Sequence, residues 1–209
     1  MIRITSGEFR GRNLLTPIGL KTRPTRARLR QALFNSIQGP VVDAQVLDLF
    51  SGSGALGFEA LSRGAEYVVF IENDRRVVEI IQKNAQSLGV ESKCKFINQD
   101  IQTWIKETPV RKFDIILADP PYDGDWVKFM TEKVDWNKLL TESGLLLLEW
   151  DPKKSKLKEL STHPFLVKIR EKNYGDSVLT TFSLAGPVQA DEDKNQTKEK
   201  SESNLSGFI

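Results

Sequence analysis

The chain contains 209 residues, of which 39% are hydrophobic and 28% are charged, a balance that predicts one soluble domain with a sizeable core. One cysteine, Cys94, and one histidine, His163, exclude an intrachain disulfide, a multi-cysteine zinc site and every two-histidine metal motif. No apolar stretch has the length of a membrane span or of a signal peptide. We therefore expect a cytoplasmic protein, with no membrane association and no metal, whose chemistry uses carboxylates, backbone groups or a bound cofactor.

The positive charge is concentrated at the N-terminus. Residues 1–38 contain eight Lys or Arg and one acid, for +7, although the whole chain carries only +2. So basic a segment predicts a polyanionic partner, because each phosphate that is neutralised releases counterions. A basic face exposed to solvent, without a ligand, is the alternative interpretation.

The N-terminal segment predicts a hairpin followed by a helix. Ile2–Ser6 and Arg12–Leu15 are typical of two short strands. A helix capped by Thr25 and ended by Gly39–Pro40 follows. Its apolar positions recur at helical spacing, which predicts an amphipathic helix: Leu29, Ala32, Leu33 and Ile37.

From residue 46 onward, short apolar strands alternate with helices, which indicates a parallel sheet covered on both faces. The predicted strands are Val46–Phe50, Tyr67–Ile71, Cys94–Asn98, Phe113–Ala118 and Leu145–Trp150. The predicted helices run from the glycine turn through Arg63, over Arg75–Leu88 and over Ile101–Glu107, and Val127–Leu140 is predicted to be mostly helical. Leu166–Tyr174 and Val178–Leu184 predict a terminal hairpin. The fold class is therefore α/β, a doubly wound Rossmann-like sheet with an N-terminal hairpin and helix extension.

Composition divides the chain into three parts. Residues 1–38 form the basic extension, residues 39–186 form the α/β domain, and residues 187–209 form a polar tail. The tail has almost no apolar content before Leu205, so we expect it to be disordered.

Gly52, Gly54 and Gly57 follow the first strand of the predicted sheet and lead into a helix. Glycines at this spacing allow a sharp turn and close approach of a ligand to the helix N-terminus. The same spacing fits a dinucleotide fingerprint, and a tight strand–helix turn without a ligand is the plain structural interpretation.

Three acids stand within or just after successive strands. Asp48 lies inside the first strand, where a carboxylate suits a ligand that bears an ammonium group. Glu72 can accept hydrogen bonds from an adenosine ribose, and Asp100 can face an adenine amine. This set favours S-adenosylmethionine, whose sulfonium is cationic, over a pyrophosphate cofactor. Helix capping is the alternative role, above all for Asp100.

A second motif, Asp119–Pro120–Pro121–Tyr122, ends a buried strand. The prolines cannot donate backbone hydrogen bonds, so their surroundings present acceptors: the Asp119 carboxylate and main-chain carbonyls. Such acceptors hold the N–H groups of an exocyclic nucleobase amine and direct its lone pair at a methyl donor. Tyr122 can stack on a flipped base. A rigid Asp-Pro turn is the structural alternative.

These motifs resemble the RsmD family of ribosomal RNA small-subunit methyltransferases. The residues that carry the resemblance are RITSGEFRGR (3–12), RPT with R.R.ALFN (23–35), LDLFSGSGALGFEALSRGA (47–65), FIEND (70–74), ADPPY (118–122) and NYGDS (173–177). The family's enzymes transfer a methyl group from S-adenosylmethionine to N2 of one guanine in 16S rRNA. Family members often carry acids where this chain has Ala27 and Gln31.

The resemblance implies that residues 39–186 are the methyltransferase catalytic domain and that residues 1–38 bind RNA. It also implies three groups of site residues. Those that would bind the cofactor are Asp48, Ser51, Gly52, Gly54, Glu72, Asn73, Asp100 and Ile101. Those that would hold the guanine amine are Asp119, Pro120, Pro121 and Tyr122. Those that would contact RNA are Arg10, Arg12, Arg23, Arg26, Arg28 and Arg30. The implied partner is 16S rRNA or a small-subunit assembly particle, and we expect a monomer.

Three other functions remain open from the sequence. An adenine-N6 methyltransferase of DNA or RNA uses the same Asp-Pro-Pro-Tyr chemistry. An NAD-dependent oxidoreductase satisfies the glycine spacing and Glu72, although nothing downstream resembles a hydride-transfer site. A non-catalytic RNA-binding module is the third. We interpret His163 as a loop residue, and Trp126, which follows Tyr122 closely, is a candidate for lining the base pocket.

Overall fold

The computed structural model describes residues 2–17, 24–107, 111–121, 125–155, 159–160 and 163–186, with the backbone alone at residues 24–26. The expected disordered tail, 187–209, lies outside the described residues. Among the helices described, none has both the length and the apolar character needed to cross a membrane.

The main body is a seven-stranded sheet with the strand order β5-β4-β3-β6-β7-β9-β8. The strands are β1 (Ile2–Arg3), β2 (Asn13–Leu14), β3 (Gln45–Leu49), β4 (Tyr67–Glu72), β5 (Cys94–Asn98), β6 (Phe113–Ala118), β7 (Leu140–Trp150), β8 (Leu166–Tyr174) and β9 (Ser177–Leu184). The helices are α1 (Pro24–Ser36), α2 (Ala55–Ser62), α3 (Arg75–Leu88), α4 (Ile101–Glu107), α5 (Trp126–Glu132) and α6 (Pro152–Ser155).

Strands β3 to β7 are parallel, and the β8–β9 hairpin adds two antiparallel strands beside β7. This arrangement confirms the α/β doubly wound class. The order reverses between β3 and its neighbours β4 and β6, and ligands of such sheets bind outside the carboxyl ends at that reversal. The loops after β3, β4 and β6 are therefore where this fold would bind a ligand.

Each face of the sheet buries its own apolar cluster, which explains why the central strands are almost continuously hydrophobic. Helices α1, α2 and α3 cover one face, with Leu33, Phe34, Phe58, Ile81 and Leu117 in its cluster. Helices α4 and α5 cover the other, with Leu49, Ile71, Trp104, Met130 and Leu148 in its cluster.

The predicted N-terminal hairpin is present, with shorter strands than expected. Ile2 pairs with Leu14, and Ile4 and Leu14 are buried in the cluster under α1 and α2. Helix α1 begins at Pro24, so the predicted cap Thr25 lies inside its first turn, because proline suits the first helical position. The extension thus contributes core residues, while its status as a separate domain stays a prediction.

The segment predicted to be mostly helical, Val127–Leu140, is divided into two helical pieces. Helix α5 ends at Glu132, and residues Trp136–Lys138 form a short 3₁₀ turn before β7 begins at Leu140. The physical reason is Trp136, whose ring is fully buried and whose Nε1 donates to the Met130 carbonyl at 2.9 Å. Helix α5 therefore ends before Trp136, and β7 begins at Leu140, five residues earlier than the predicted start at Leu145.

Candidate active site

The carboxyl ends of β3, β4 and β6 bring three acids to one edge of the sheet. Asp48 is in register with Phe70 of β4 on one side and with Leu117 of β6 on the other. Glu72 and Asp119 each stand two residues after those partners, so all three acids lie near the carboxyl ends of neighbouring strands. Burial is the principal cause that raises the pKa of Asp48 well above its ordinary value, and the charges of Asp119 and Glu72 raise it further. A bound cation would relieve this repulsion.

The loop after β3 has an unusual backbone. Phe50, Gly52 and Gly54 have φ angles of 59°, 54° and 76°, in the left-handed region. A Cβ on Gly54 would lie 2.6 Å from the Phe58 ring, whereas one on Gly52 would meet nothing closer than 3.9 Å. Gly52 therefore leaves open space beside the loop, where a ligand can approach the backbone.

Gly57 has a different reason to be glycine. It lies inside α2, where an added Cβ would stand 2.3 Å from the Phe70 ring on β4. It therefore permits close packing of helix on strand, as the third glycine of such loops does.

Ser51 serves the loop rather than presenting a free hydroxyl. Its Oγ donates to the carbonyls of Asp48 at 2.7 Å and Ile71 at 3.1 Å, and the side chain is buried. The hydroxyl of this predicted cofactor-binding residue thus ties β3 to β4.

The end of β4 is held from both sides. Glu72 accepts from the Gly52 N–H through Oε2 at 3.0 Å and from the Asp74 N–H through Oε1 at 3.0 Å. Since a carboxylate offers about four lone-pair sites, room remains for two hydroxyl donors. Asn98 at the end of β5 donates to the carbonyls of Glu72 and of the exposed Asn73.

Asp100 and Ile101 lie where β5 leads into α4. Oδ1 of Asp100 accepts from the Thr103 N–H at 3.0 Å, so this acid caps the helix. Ile101 is buried, and its cluster includes Ile71 of the neighbouring strand. The capping alternative is therefore present at Asp100, and its other oxygen is the one left for a ligand.

The Asp-Pro-Pro motif directly continues β6. Asp119 is half-buried, Pro120 is buried and Pro121 is exposed, while Tyr122 lies outside the described residues. Trp126 opens α5 and meets Phe50 edge-on, with ring centroids 5.0 Å apart. This contact joins the loop after β3 to the segment after β6, so Trp126 does lie at the edge where the acids meet.

A buried acid of α2 is one of the groups that hold the basic extension on that helix. Glu59 is fully buried and accepts five hydrogen bonds, from Thr5 N and Oγ1, Ser6 N, Arg30 Nε and Arg63 Nε. Sequence reasoning missed Glu59; an acid among the apolar residues of α2 was the available signal.

Arg30 is a correction to the predicted RNA-contacting set. Its side chain is buried, pairs with Glu59 at 3.2 Å and donates to the Arg3 carbonyl at 2.7 Å. An arginine committed to an interior ion pair is not free to contact phosphate. Arg10, Arg12 and Arg28 are exposed, whereas Arg23 and the side chain of Arg26 lie outside the described residues.

The donor set fits an adenosyl cofactor that carries an ammonium group. Asp48 is a buried carboxyl group near two other acids, an arrangement that a bound cation would stabilise, and Glu72 retains acceptor sites for a ribose diol. A pyrophosphate would face the same three acids, so its charge does not fit here.

Fold and site together define the class of S-adenosylmethionine-dependent methyltransferases. The 16S rRNA N2 methyltransferase RsmC of T. thermophilus, solved with AdoMet and guanosine, shares this fold with a TM-score of 0.56 at 23% identity, covering 79% of this chain and 44% of that chain.

The chain belongs to the RsmD family, whose model, described as Conserved hypothetical protein 95, matches residues 2–183. Ribosomal RNA small subunit methyltransferase D of Escherichia coli K12 is 37% identical over 150 residues, which cover 71% of this chain and 74% of the relative. The solved Escherichia coli protein yhhF has a TM-score of 0.74 at 30% identity, covering 89% of this chain and 99% of that chain.

Proposed function

We propose that this protein transfers a methyl group from S-adenosylmethionine to the exocyclic N2 amine of a guanine in 16S rRNA. The observation that carries the proposal is the meeting of Asp48, Glu72 and Asp119 at one edge of the sheet. The curated relative's name, an rRNA small subunit methyltransferase, supports the RNA substrate.

Each residue of the cofactor side has a defined task in this proposal. Asp48 binds the ammonium group, and Glu72 binds the ribose hydroxyls while it holds the Gly52 N–H. Asp100 and Ile101, with Asn73 beside them, contact the adenine, and the backbone of 51–54 passes close to the ligand. When bound, S-adenosylmethionine supplies an electrophilic methyl carbon on a sulfonium.

The residues after β6 hold the acceptor amine. Asp119 and neighbouring carbonyls accept the two N–H groups, which directs the nitrogen lone pair at the methyl carbon. Pro120 and Pro121 donate no N–H that would compete for those acceptors. Tyr122 stacks on the base, with Trp126 beside the pocket. The rate comes mainly from positioning and fixed dipoles. As the N–C bond forms, the bond between the methyl carbon and the sulfonium sulfur would break and leave S-adenosylhomocysteine, and the amine proton would pass to the Asp119 carboxylate or to water.

The extension supplies the RNA contact. Arg10, Arg12 and Arg28, together with Arg23 and Arg26, engage phosphates, and Arg30 holds the extension in place through Glu59. Free 16S rRNA and a partly assembled small subunit are the two substrates to compare. The cytoplasmic location and the monomeric state stay predictions.

The test is to map the methylated nucleotide. Undermethylated small subunits, and separately free 16S rRNA, are incubated with the protein and labelled methyl donor, and the RNA is digested to nucleosides. We expect label in N2-methylguanosine at one position, and its loss with Asp119→Ala. Label in N6-methyladenosine would contradict the proposed base.

Calorimetry distinguishes the cofactor classes. We expect binding of S-adenosylhomocysteine and none of NADH. NADH carries a pyrophosphate, whose negative charge the three acids disfavour. Binding of NADH alone would therefore contradict the proposed cofactor and favour the oxidoreductase.

A further inference from the structure

Asn84 of α3 joins two segments that are far apart in sequence. Its Oδ1 accepts from the Leu15 N–H at 2.7 Å, and its Nδ2 donates to the Leu15 carbonyl at 3.0 Å and to the Ser53 carbonyl at 3.1 Å. The side chain is buried, with 1% of its residue surface exposed. One amide therefore bonds both segments at once.

The two segments belong to different parts of the proposed machinery. Leu15 directly follows β2, on the hairpin that carries the exposed Arg10 and Arg12. Ser53 stands between Gly52 and Gly54, in the loop that passes the cofactor. Asn84 is thus the direct link between the RNA-contacting extension and the cofactor loop.

The link is stiff because its atoms are committed. Both N–H groups of the Asn84 amide are used, and a buried donor that loses its partner is costly. If Leu15 shifts, the amide must follow, and the bond to Ser53 is strained. The loop also packs closely on α3, the helix that carries Asn84, since a Cβ on Gly54 would lie 3.1 Å from Ile81 Cγ2.

We infer that Asn84 is a positioning residue that couples RNA contact by the extension to cofactor binding by the 51–54 loop, an inference that rests on the proposed function. RNA that fixes the hairpin fixes Leu15, which keeps Asn84 and Ser53 in the cofactor-binding arrangement. Linkage requires the reverse effect to be equal: bound cofactor strengthens RNA binding by the same factor.

The experiment measures that factor. Labelled S-adenosylhomocysteine is dialysed to equilibrium against the full chain, with and without saturating undermethylated small subunits. We expect the subunits to tighten binding in the wild type by about fivefold or more, the lower range of such couplings. In Asn84→Ala the ratio should fall close to one.

Asp114→Ala is the matched control. Asp114 also joins separate segments, since it accepts from Gln45 N at 2.9 Å and from Thr141 Oγ1 at 3.1 Å. These contacts lie at the amino ends of the strands, away from the proposed site. We expect it to lower the melting temperature while it keeps the wild-type ratio. A merely structural role for Asn84 would give the same pattern as this control.

Asn84→Leu, which fills the volume of the amide without its hydrogen bonds, serves if the alanine variant does not fold. A wild-type ratio of one, or a wild-type ratio retained in the Asn84 variants, would overturn the inference. Absence of S-adenosylhomocysteine binding in the wild type would instead overturn the proposed function, and the inference with it.

Discussion

The backbone N–H of Gly57 donates to Oδ2 of Asp48 at 3.0 Å, so the first turn of α2 holds the acid that precedes it in the chain. This bond favours the charged carboxylate, whereas burial opposes the charge and dominates. Asp48 is therefore held in place by this bond in a surrounding that disfavours its ionised form. Two predictions follow from that conflict.

The first concerns stability without ligand. Because the pKa of Asp48 is raised in the folded state, the folded chain binds more protons than the unfolded chain above the ordinary value of 3.8. Its contribution to stability is present below that value and is lost as pH rises through the raised pKa. Asp48→Asn keeps an acceptor for Gly57 without the charge, so we expect a higher melting temperature at neutral pH. An unchanged or lower melting temperature of Asp48→Asn would contradict the raised pKa of Asp48 in the folded state.

The second concerns ligand affinity. In the proposed function, the ionised Asp48 attracts the ammonium group of the ligand, whereas the protonated form would not. We expect S-adenosylhomocysteine to bind more tightly as pH rises through the raised pKa of Asp48, measured by calorimetry over a pH series. Asp48→Asn should bind weakly with little dependence on pH, and a variant that follows the wild-type pH profile would refute this role.

The third tests the anchor of the extension. Glu59→Gln leaves Arg30 and Arg63 buried without their carboxylate, with side chains only 7% and 8% exposed. We expect a loss of about 3–5 kcal/mol in the free energy of unfolding, from urea denaturation. The control is Glu79→Gln, whose partner Arg75 lies 3.7 Å away with both side chains exposed; it should cost about 0.5 kcal/mol or less. Equal losses would show that Glu59 is no anchor.

The fourth compares two glycines of the same loop. Gly7 and Gly11 have φ angles of 80° and 86°, but only at Gly7 would a Cβ collide, 1.7 Å from the Ser62 carbonyl oxygen. Gly11→Ala should cost about 1–2 kcal/mol from the left-handed backbone alone. Gly7→Ala should lower the free energy of unfolding by about 1–3 kcal/mol more, because the added methyl group would push the loop away from Ser62 of α2. Urea denaturation of both variants measures the difference, and similar values would mean that the loop does not rest on Ser62.

The fifth separates two arginines on α1. Arg28 is exposed, so Arg28→Ala should weaken RNA binding and lower the salt dependence by about one counterion, without changing stability. Arg30 is buried against Glu59, so Arg30→Ala should cost about 3 kcal/mol of stability. Filter binding over a salt series and urea denaturation read the two effects. Equal salt slopes in wild type and Arg28→Ala would remove Arg28 from the interface.

Most of the fold could be read from local pattern. Apolar strands alternating with helices predicted the parallel sheet because strands buried on both faces must be hydrophobic throughout. The bounds of Cys94–Asn98 and Phe113–Ala118 agree with the structure to the residue. After α5, local pattern predicted a mostly helical segment but not its division into α5 and a 3₁₀ turn at the buried Trp136.

The sequence by itself determined the candidate residues of the proposed site, because the acids Asp48, Glu72 and Asp119 each stand within or directly after a strand that is recognisable from the chain alone. The tertiary structure alone decided which polar residues face inward, because that depends on contacts between distant segments. Arg30 and Arg28 look alike in the chain, yet one is buried against Glu59, 29 positions away, and the other is exposed. Asn84 likewise gains its place from Leu15 and Ser53, which only folding brings together, since no periodicity encodes a hydrogen bond across 69 residues.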